Sequence, residues 1–213
     1  MHRVAALILT PARAAAAAFL IVLLTHVVLI SVAGVNVPMW DSWDSEADWY
    51  VRMLSGNTDL QALISPHNEH RIAFTRIFNG LIFTAIGGWN PLAVMYVQAL
   101  LISACVAMVI HSLFVLGGPW HIGGSCFTML AFCFPFSWGN ILSSFQNQFY
   151  FMLLFAIIAI RCATLGKSYV AYVLAVFLAL VSPFTMAGGV GTIIIVFASL
   201  IFRALKVPAH RFF

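Results

Sequence analysis

Charge is scarce in this 213-residue chain: 8% of its residues are Asp, Glu, Lys or Arg, and 63% are hydrophobic. Soluble domains carry about 25% charged residues, so an ordinary soluble domain is excluded. Acids are the scarcer sign, six against ten Lys and Arg. The net charge of +4 therefore comes from missing acids rather than from a basic patch, and nucleic acid is not an expected partner. Cysteine is sparse too. Cys105, Cys126, Cys133 and Cys162 all fall in apolar segments without metal-ligand spacing, and read as small buried hydrophobes. There is no internal repeat and no low-complexity linker.

What the chain does have is long apolar runs. Runs of about 18 or more residues mark membrane spans, so the expected fold is all-α, a polytopic transmembrane helical bundle. The opening "MHRVAALILTPARAAAAAFLIVLLTHVVLISVAG" is too long for a signal peptide and reads as an uncleaved span over 14–35. A polar loop follows over 36–90. Further spans are expected over 91–116, 125–143, 149–162, 168–186 and 190–205, six crossings in a single membrane domain. The stretch 72–86 is read as lying flat. Thr75, Arg76, Asn79, Gly80 and Thr84 share one helical stripe and apolar residues cover the rest, an interfacial amphipathic pattern. Charge agrees. With Arg3 and Arg13 inside, six crossings also put Arg161, Lys167, Arg203, Lys206 and Arg211 inside. Both termini are then cytoplasmic and the acidic loop is external, in a plasma or bacterial inner membrane.

All six acids, Asp41, Asp44, Glu46, Asp48, Asp59 and Glu69, lie in that loop. Read as a helix, Trp43, Ala47, Tyr50, Val51 and Leu54 form an apolar stripe, and Asp44, Asp48 and Arg52 a polar one. Asp48 and Arg52 read as a surface pair. Asp41 and Asp44 follow the first span directly, beside Trp40 and Trp43, which suit interface anchors. Tucked against rings and bilayer, these two carboxyls are expected to be raised toward the range of a general base.

"SPHNEHR" (65–71) gathers donors and acceptors: His67, Asn68, Glu69, His70 and Arg71, with Arg76 following on the flat helix. Two arginines with adjacent imidazoles suit a lipid-borne phosphate. The alternative is a helix-start cluster reaching for lipid headgroups. His67, Glu69 and His70 match no zincin-type spacing, so a divalent metal is a minor option and no cofactor is assigned. In "SSFQNQF" (143–149), Gln146, Asn147 and Gln148 suit sugar hydroxyls, but a wet turn between helices is the favoured reading. His111 and His121 read as structural, and His26 as a helix-packing residue within the first span.

"WDSWDSEADWY", "HNEHRIAFTRIFNGLIFTAIGGWNPLAVMYVQALL" and "SSFQNQFYF" together resemble the GT-C superfamily of integral membrane glycosyltransferases. Those enzymes have a first span, an external loop with acidic catalytic residues, interfacial helices and a stack of spans. The resemblance covers about 14–191. It departs in two ways: the superfamily's acidic pair is usually adjacent, and its members carry more spans, so the chain is read as an N-terminal part, a truncated paralogue or a minimal member. What the resemblance implies is transfer of a sugar from a polyprenyl-phosphate donor to a glycan, lipid or protein acceptor at the external membrane face. Asp44 first, or Asp41, would be the base. Arg71 and Arg76, with His67 or His70, would neutralise the departing phosphate, and Glu69 would orient Arg71 or hold acceptor hydroxyls. The alternatives are a non-catalytic membrane partner and a subunit that transports or flips lipid-linked sugars.

Overall fold

The computed structural model describes residues 10–206, which form an all-α bundle. Arg3 and Arg211, used above for orientation, lie outside the described residues, as does the Lys206 side chain. Among the described residues, five helical segments are long and apolar enough to cross a membrane: Pro11–Ala33, Pro91–Leu116, His121–Ile141, Ser144–Leu165 and Ala187–Leu205. The chain is a membrane protein by the length and composition of these helices.

Helix α1 (Pro11–Ala33) starts where Thr10 accepts a hydrogen bond from the Arg13 amide (3.3 Å) and Pro11 needs no partner for a missing N–H. Its buried residues are Ala14, Ala18, Val22, His26 and Ile30, one every fourth position. That spacing is a single stripe, and it packs along α5 (Pro91–Leu116), on Val106 and Ile110 at one end and on Met95 and Ala99 at the other. Asn90 caps α5 in the same way, accepting from the Ala93 amide at 3.1 Å ahead of Pro91.

The loop between them holds α2 (Ser42–Leu54), α3 (Leu60–Ile64), a two-stranded hairpin of β1 (Pro66–His67) and β2 (His70–Arg71), and α4 (Ala73–Ile86). Asn68 takes the left-handed conformation in the hairpin turn (φ 49°), which Asn tolerates better than most residues. Gly87 ends α4 at φ 81°, a helix-terminating geometry that glycine adopts without strain.

The span expected over 125–143 corresponds to His121–Ile141, but its helix is interrupted. Helix α6 (His121–Cys133) stops before Pro135, and after a 3-10 turn the chain resumes as α7 (Trp138–Ile141). Proline offers no N–H and clashes with the preceding turn. His26 reaches across to the helix end, its Nε2 3.0 Å from the Phe132 carbonyl oxygen. No residue of α6 is buried, and Cys126 is exposed rather than packed as expected. Of the four cysteines only Cys105 is fully buried.

Helices α8 (Asn147–Leu165), α9 (Tyr169–Val181) and α10 (Val190–Lys206) make a second cluster. Ala159, Ala163, Ala175 and Ala179 are all fully buried there, and small side chains let helix backbones approach closely. The span expected over 168–186 is short. With its 3-10 continuation it runs from Tyr169 to Phe184, about 24 Å at 1.5 Å per residue, less than a typical hydrocarbon core. Pro183 lies inside that 3-10 turn, Ser182–Phe184, and a second turn, Ala187–Gly189, leads into α10. The two turns are in contact: a Cβ on Gly189 would sit 2.4 Å from the backbone carbon and oxygen of Ser182. Backbone cannot swing aside as a side-chain end can. Gly189→Ala is therefore expected to cost about 1–3 kcal/mol, read as a lower thermal midpoint in detergent.

Candidate functional site

The carboxylate that enters the protein is Glu46, not Asp41 or Asp44. Helix α2 buries Ser42, Ser45, Glu46, Trp49 and Tyr50, while Asp41, Trp43 and Asp44 are exposed. Of the apolar stripe Trp43, Ala47, Tyr50, Val51 and Leu54, only Tyr50 is buried, and Trp43, Val51 and Leu54 are exposed. The reason lies in what α2 packs against. Its neighbours at this end of the bundle are the polar stripe of α4 and the turn over 143–146, so a polar face is the one that finds partners.

Both Glu46 oxygens are satisfied. Ser144 Oγ donates to Oε2 at 2.6 Å, Asn79 Nδ2 donates to Oε1 at 2.7 Å, and the Tyr50 hydroxyl donates to Oε1 at 3.4 Å. Asn79 in turn accepts from Asn147 Nδ2 at 2.7 Å, and Asn147 also donates to the Ser144 carbonyl at 3.1 Å. Glu46, Asn79, Ser144 and Asn147 are each at most 2% exposed. Burial pushes the Glu46 carboxyl above its ordinary value, and the hydroxyls of Ser144, Ser42 and Tyr50 pull the other way. Tyr50 is pushed up by burial and by the adjacent carboxylate.

The polar stripe read on α4 is present, but it faces the protein. Ala73, Thr75, Arg76, Asn79 and Gly80 are buried, while Ile77, Leu81 and Ile86 are exposed. Gly80 makes the approach of α2 possible, because a Cβ there would lie 3.0 Å from Trp49 Nε1 and 3.1 Å from Met53 Sδ. On the other flank Phe74 meets Phe155 edge-on at 4.7 Å, and Phe78 meets Phe151 at 5.2 Å.

The favoured reading of 143–149 as a wet turn is overturned. Ser143, Ser144, Phe145, Asn147 and Gln148 are all buried. Gln98 of α5 holds the preceding segment from beneath, donating to the carbonyls of Ser143 (2.9 Å), Ile141 (3.3 Å) and Asn140 (3.4 Å). Several buried side-chain atoms here have no hydrogen-bond partner among the described residues: Gln146 Oε1, Asn147 Oδ1, Gln148 Oε1, Ser143 Oγ and Thr75 Oγ1. The hairpin joins the same region. The His67 ring packs edge-on against Phe145 with centroids 5.1 Å apart, and His67 Nε2 and His70 Nδ1 are likewise buried without partners among the described residues. Such a concentration of unsatisfied polar atoms is uncommon in a structural core, where nearly all are paired.

The two arginines expected to share a phosphate have different surroundings. Arg76 is 6% exposed and its Nη1 donates to three carbonyls at the end of α3, those of Ala62 (3.0 Å), Leu63 (2.9 Å) and Ser65 (2.6 Å). Its guanidinium also lies over the Trp49 ring, 5.9 Å from the centroid. Arg71 is exposed and spends one nitrogen on the Ile64 carbonyl (2.7 Å). Glu69 and Asn68 are exposed at the hairpin tip, with Glu69 Oε1 3.7 Å from His70 Nε2. Asp48 and Arg52 form the expected surface pair at 2.8 Å. Among the described residues no three His, Cys, Asp or Glu side chains gather as metal ligands would.

Sequence reasoning missed Glu46. The available signal was the spacing Ser42, Ser45, Glu46, Trp49, Tyr50, a helical stripe of small and aromatic residues around one acid. No family model, curated protein or solved structure matches the chain.

Proposed function

We propose that this chain is a membrane glycosyltransferase, or the membrane part of one, that moves a sugar from a polyprenyl-phosphate donor to an acceptor at the external membrane face. One observation carries the reading. Three polar motifs far apart in sequence meet at one end of the bundle: the acidic helix through Glu46, the hairpin and α4 through His67 and Asn79, and the turn through Ser144 and Asn147. Unrelated wet loops have no reason to share a buried polar centre.

In this reading the Glu46 network is the footing and the exposed groups do the chemistry. Asp44, with Asp41 as second choice, stands exposed on the α2 face opposite Glu46 and takes the proton of the acceptor hydroxyl. The acceptor oxygen then attacks the anomeric carbon, the bond to the lipid phosphate breaks, and the configuration inverts. The phosphate leaves as an anion. Arg71 meets it, since the Arg71 Nε and Nη2 make no protein hydrogen bond among the described residues. His67 and His70 supply further donors. Arg76 already serves three carbonyls, so its part is to hold α3 and the hairpin in place.

The test is transfer of label from a polyprenyl-phosphate sugar in membranes carrying the full chain. Asp44→Asn is expected to reduce transfer on the order of 100-fold or more, the usual share of a general base. Equal turnover by wild type and variant removes Asp44 from the mechanism. A second reading, a non-catalytic partner whose loop docks on another membrane protein, draws on the exposure of Trp40, Trp43, Phe136 and Trp138 around those acids. No transfer by the wild-type chain with any polyprenyl-phosphate hexose or pentose favours it.

A further inference from the structure

Beside the buried centre, α2, α3 and the turn between them border a separate polar cavity of about 650 Å³ that opens to the surface, within the usual size range of ligand pockets. Arg52, Asn57, Asp59, Gln61, Ala62 and Ser65 line it. We propose that this cavity is a binding site for a neutral polyhydroxylated ligand, a glycan. In the transfer reading, on which only this role rests, that glycan is the acceptor.

Three observations lead there. The first is the free hydrogen-bonding capacity of the lining. Among the described residues, Arg52 uses only Nε, on Asp48; Asn57 uses only Nδ2, on Ser55; Asp59 uses only Oδ1, on the Ala62 amide; and the Gln61 amide makes no protein hydrogen bond. Both donors and acceptors are therefore presented, as adjacent sugar hydroxyls require. The second is charge. One guanidinium and one carboxylate line the cavity, and the guanidinium already faces Asp48, so nothing selects an anion over a neutral polyol. A phosphate site would carry an excess of positive charge.

The third is the effort spent on the wall. A five-residue helix does not hold itself together. Here Asp59 caps its start through the Ala62 amide (2.7 Å), Ser65 Oγ donates back to the Ala62 carbonyl (2.8 Å), and Arg71 and Arg76 fix the carbonyls of residues 62–65. Two guanidiniums and two caps on one turn of helix make a rigid surface, and rigidity in advance reduces the ordering cost of binding.

The experiment uses the full chain in lipid nanodiscs and saturation-transfer NMR. The probes are the methyl glycosides of glucose, galactose, mannose and N-acetylglucosamine, with inorganic phosphate as the charged competitor. At least one glycoside is expected to bind and phosphate is expected not to displace it. Asn57→Ala with Gln61→Ala is expected to weaken binding roughly tenfold, as for two lost hydrogen bonds. Gln61→Ala alone, a truncation at an exposed position, is expected to give a smaller loss and guards against misfolding of the pair. No binding by any of the four glycosides, displacement by phosphate, or unchanged affinity in the double variant overturns the site. No lipid-linked donor is present, so the outcome is separable from the transfer assay. Binding without transfer keeps this site and removes the enzyme; transfer without binding does the reverse.

Discussion

Glu46→Ala is expected to lower the thermal midpoint of the detergent-solubilised protein by roughly 5–10 °C, the consequence of losing about 3 kcal/mol. The substitution strands three buried donors at once: Asn79 Nδ2, Ser144 Oγ and the Tyr50 hydroxyl. Each left unpaired costs about 1–3 kcal/mol, and partial relaxation recovers some of the sum. Glu46→Gln keeps the shape and one acceptor oxygen, so its cost is expected near 1 kcal/mol at low pH.

The two variants also differ from wild type in pH dependence. Burial raises the folded-state value for Glu46 above the ordinary carboxyl value near 4.5. The folded state then holds this proton more tightly than the unfolded state does. Stability from this group is complete below the ordinary value, falls as pH rises, and is lost once the folded-state value is passed. A glutamine does not ionise. The gap between wild type and Glu46→Gln is therefore expected to narrow, or to change sign, as pH is raised from the ordinary carboxyl range. Unfolding midpoints of the pair across pH 4 to about 8 measure this, and a gap that widens with pH contradicts the burial of a raised carboxyl.

Arg76→Ala is the second large effect. One guanidinium nitrogen serves the carbonyls of Ala62, Leu63 and Ser65, and without it these three acceptors at the end of α3 lose their donor. A loss of about 2–4 kcal/mol is expected, since hydrogen bonds from charged donors contribute more than neutral ones. The loss is local in character. Hydrogen exchange should accelerate over residues 60–71 while the long helices keep their protection. Arg76→Lys, whose ammonium also offers three donors, is expected to recover part of it. Uniform acceleration through α1 and α5 would mean that Arg76 supports the whole bundle rather than one wall.

Much of the bundle was legible because apolar run length carries it. The ends of α5 coincide with the apolar run and its Asn-Pro and Gly punctuation. The extent of α4, its polar stripe and the Asp48–Arg52 pair were equally visible from spacing. What periodicity does not give is the medium each face meets. In a soluble protein a polar stripe goes to water, and that habit left Glu46 without a role and put Gln148 in a wet turn, while Asp44, expected against rings and bilayer, is exposed. Within a bilayer an apolar face needs no protein partner, while a polar face must find one. On α4 the polar Thr75, Arg76 and Asn79 face inward and Ile77 and Leu81 outward; on α2 Ser42, Ser45 and Glu46 face inward, and the outer side carries both apolar Val51 and Leu54 and charged Asp44 and Asp48. Arg76 was misjudged for the same reason: its three acceptors are backbone carbonyls of a helix too short to be visible in the sequence pattern.

The bond between Glu46 and Ser144 joins positions 98 residues apart, and that from Asn147 to Asn79 spans 68. A ribosome adding 5–20 residues each second takes about 5–20 s to travel the longer interval. For most of that time the nascent loop can pair its carboxylate with Asn79 but not with Ser144, and Asn79 has no Asn147 to accept from. Completion of the network must therefore wait for the turn ahead of α8 to leave the tunnel, which makes the closed polar knot a late event in biogenesis rather than a seed for it.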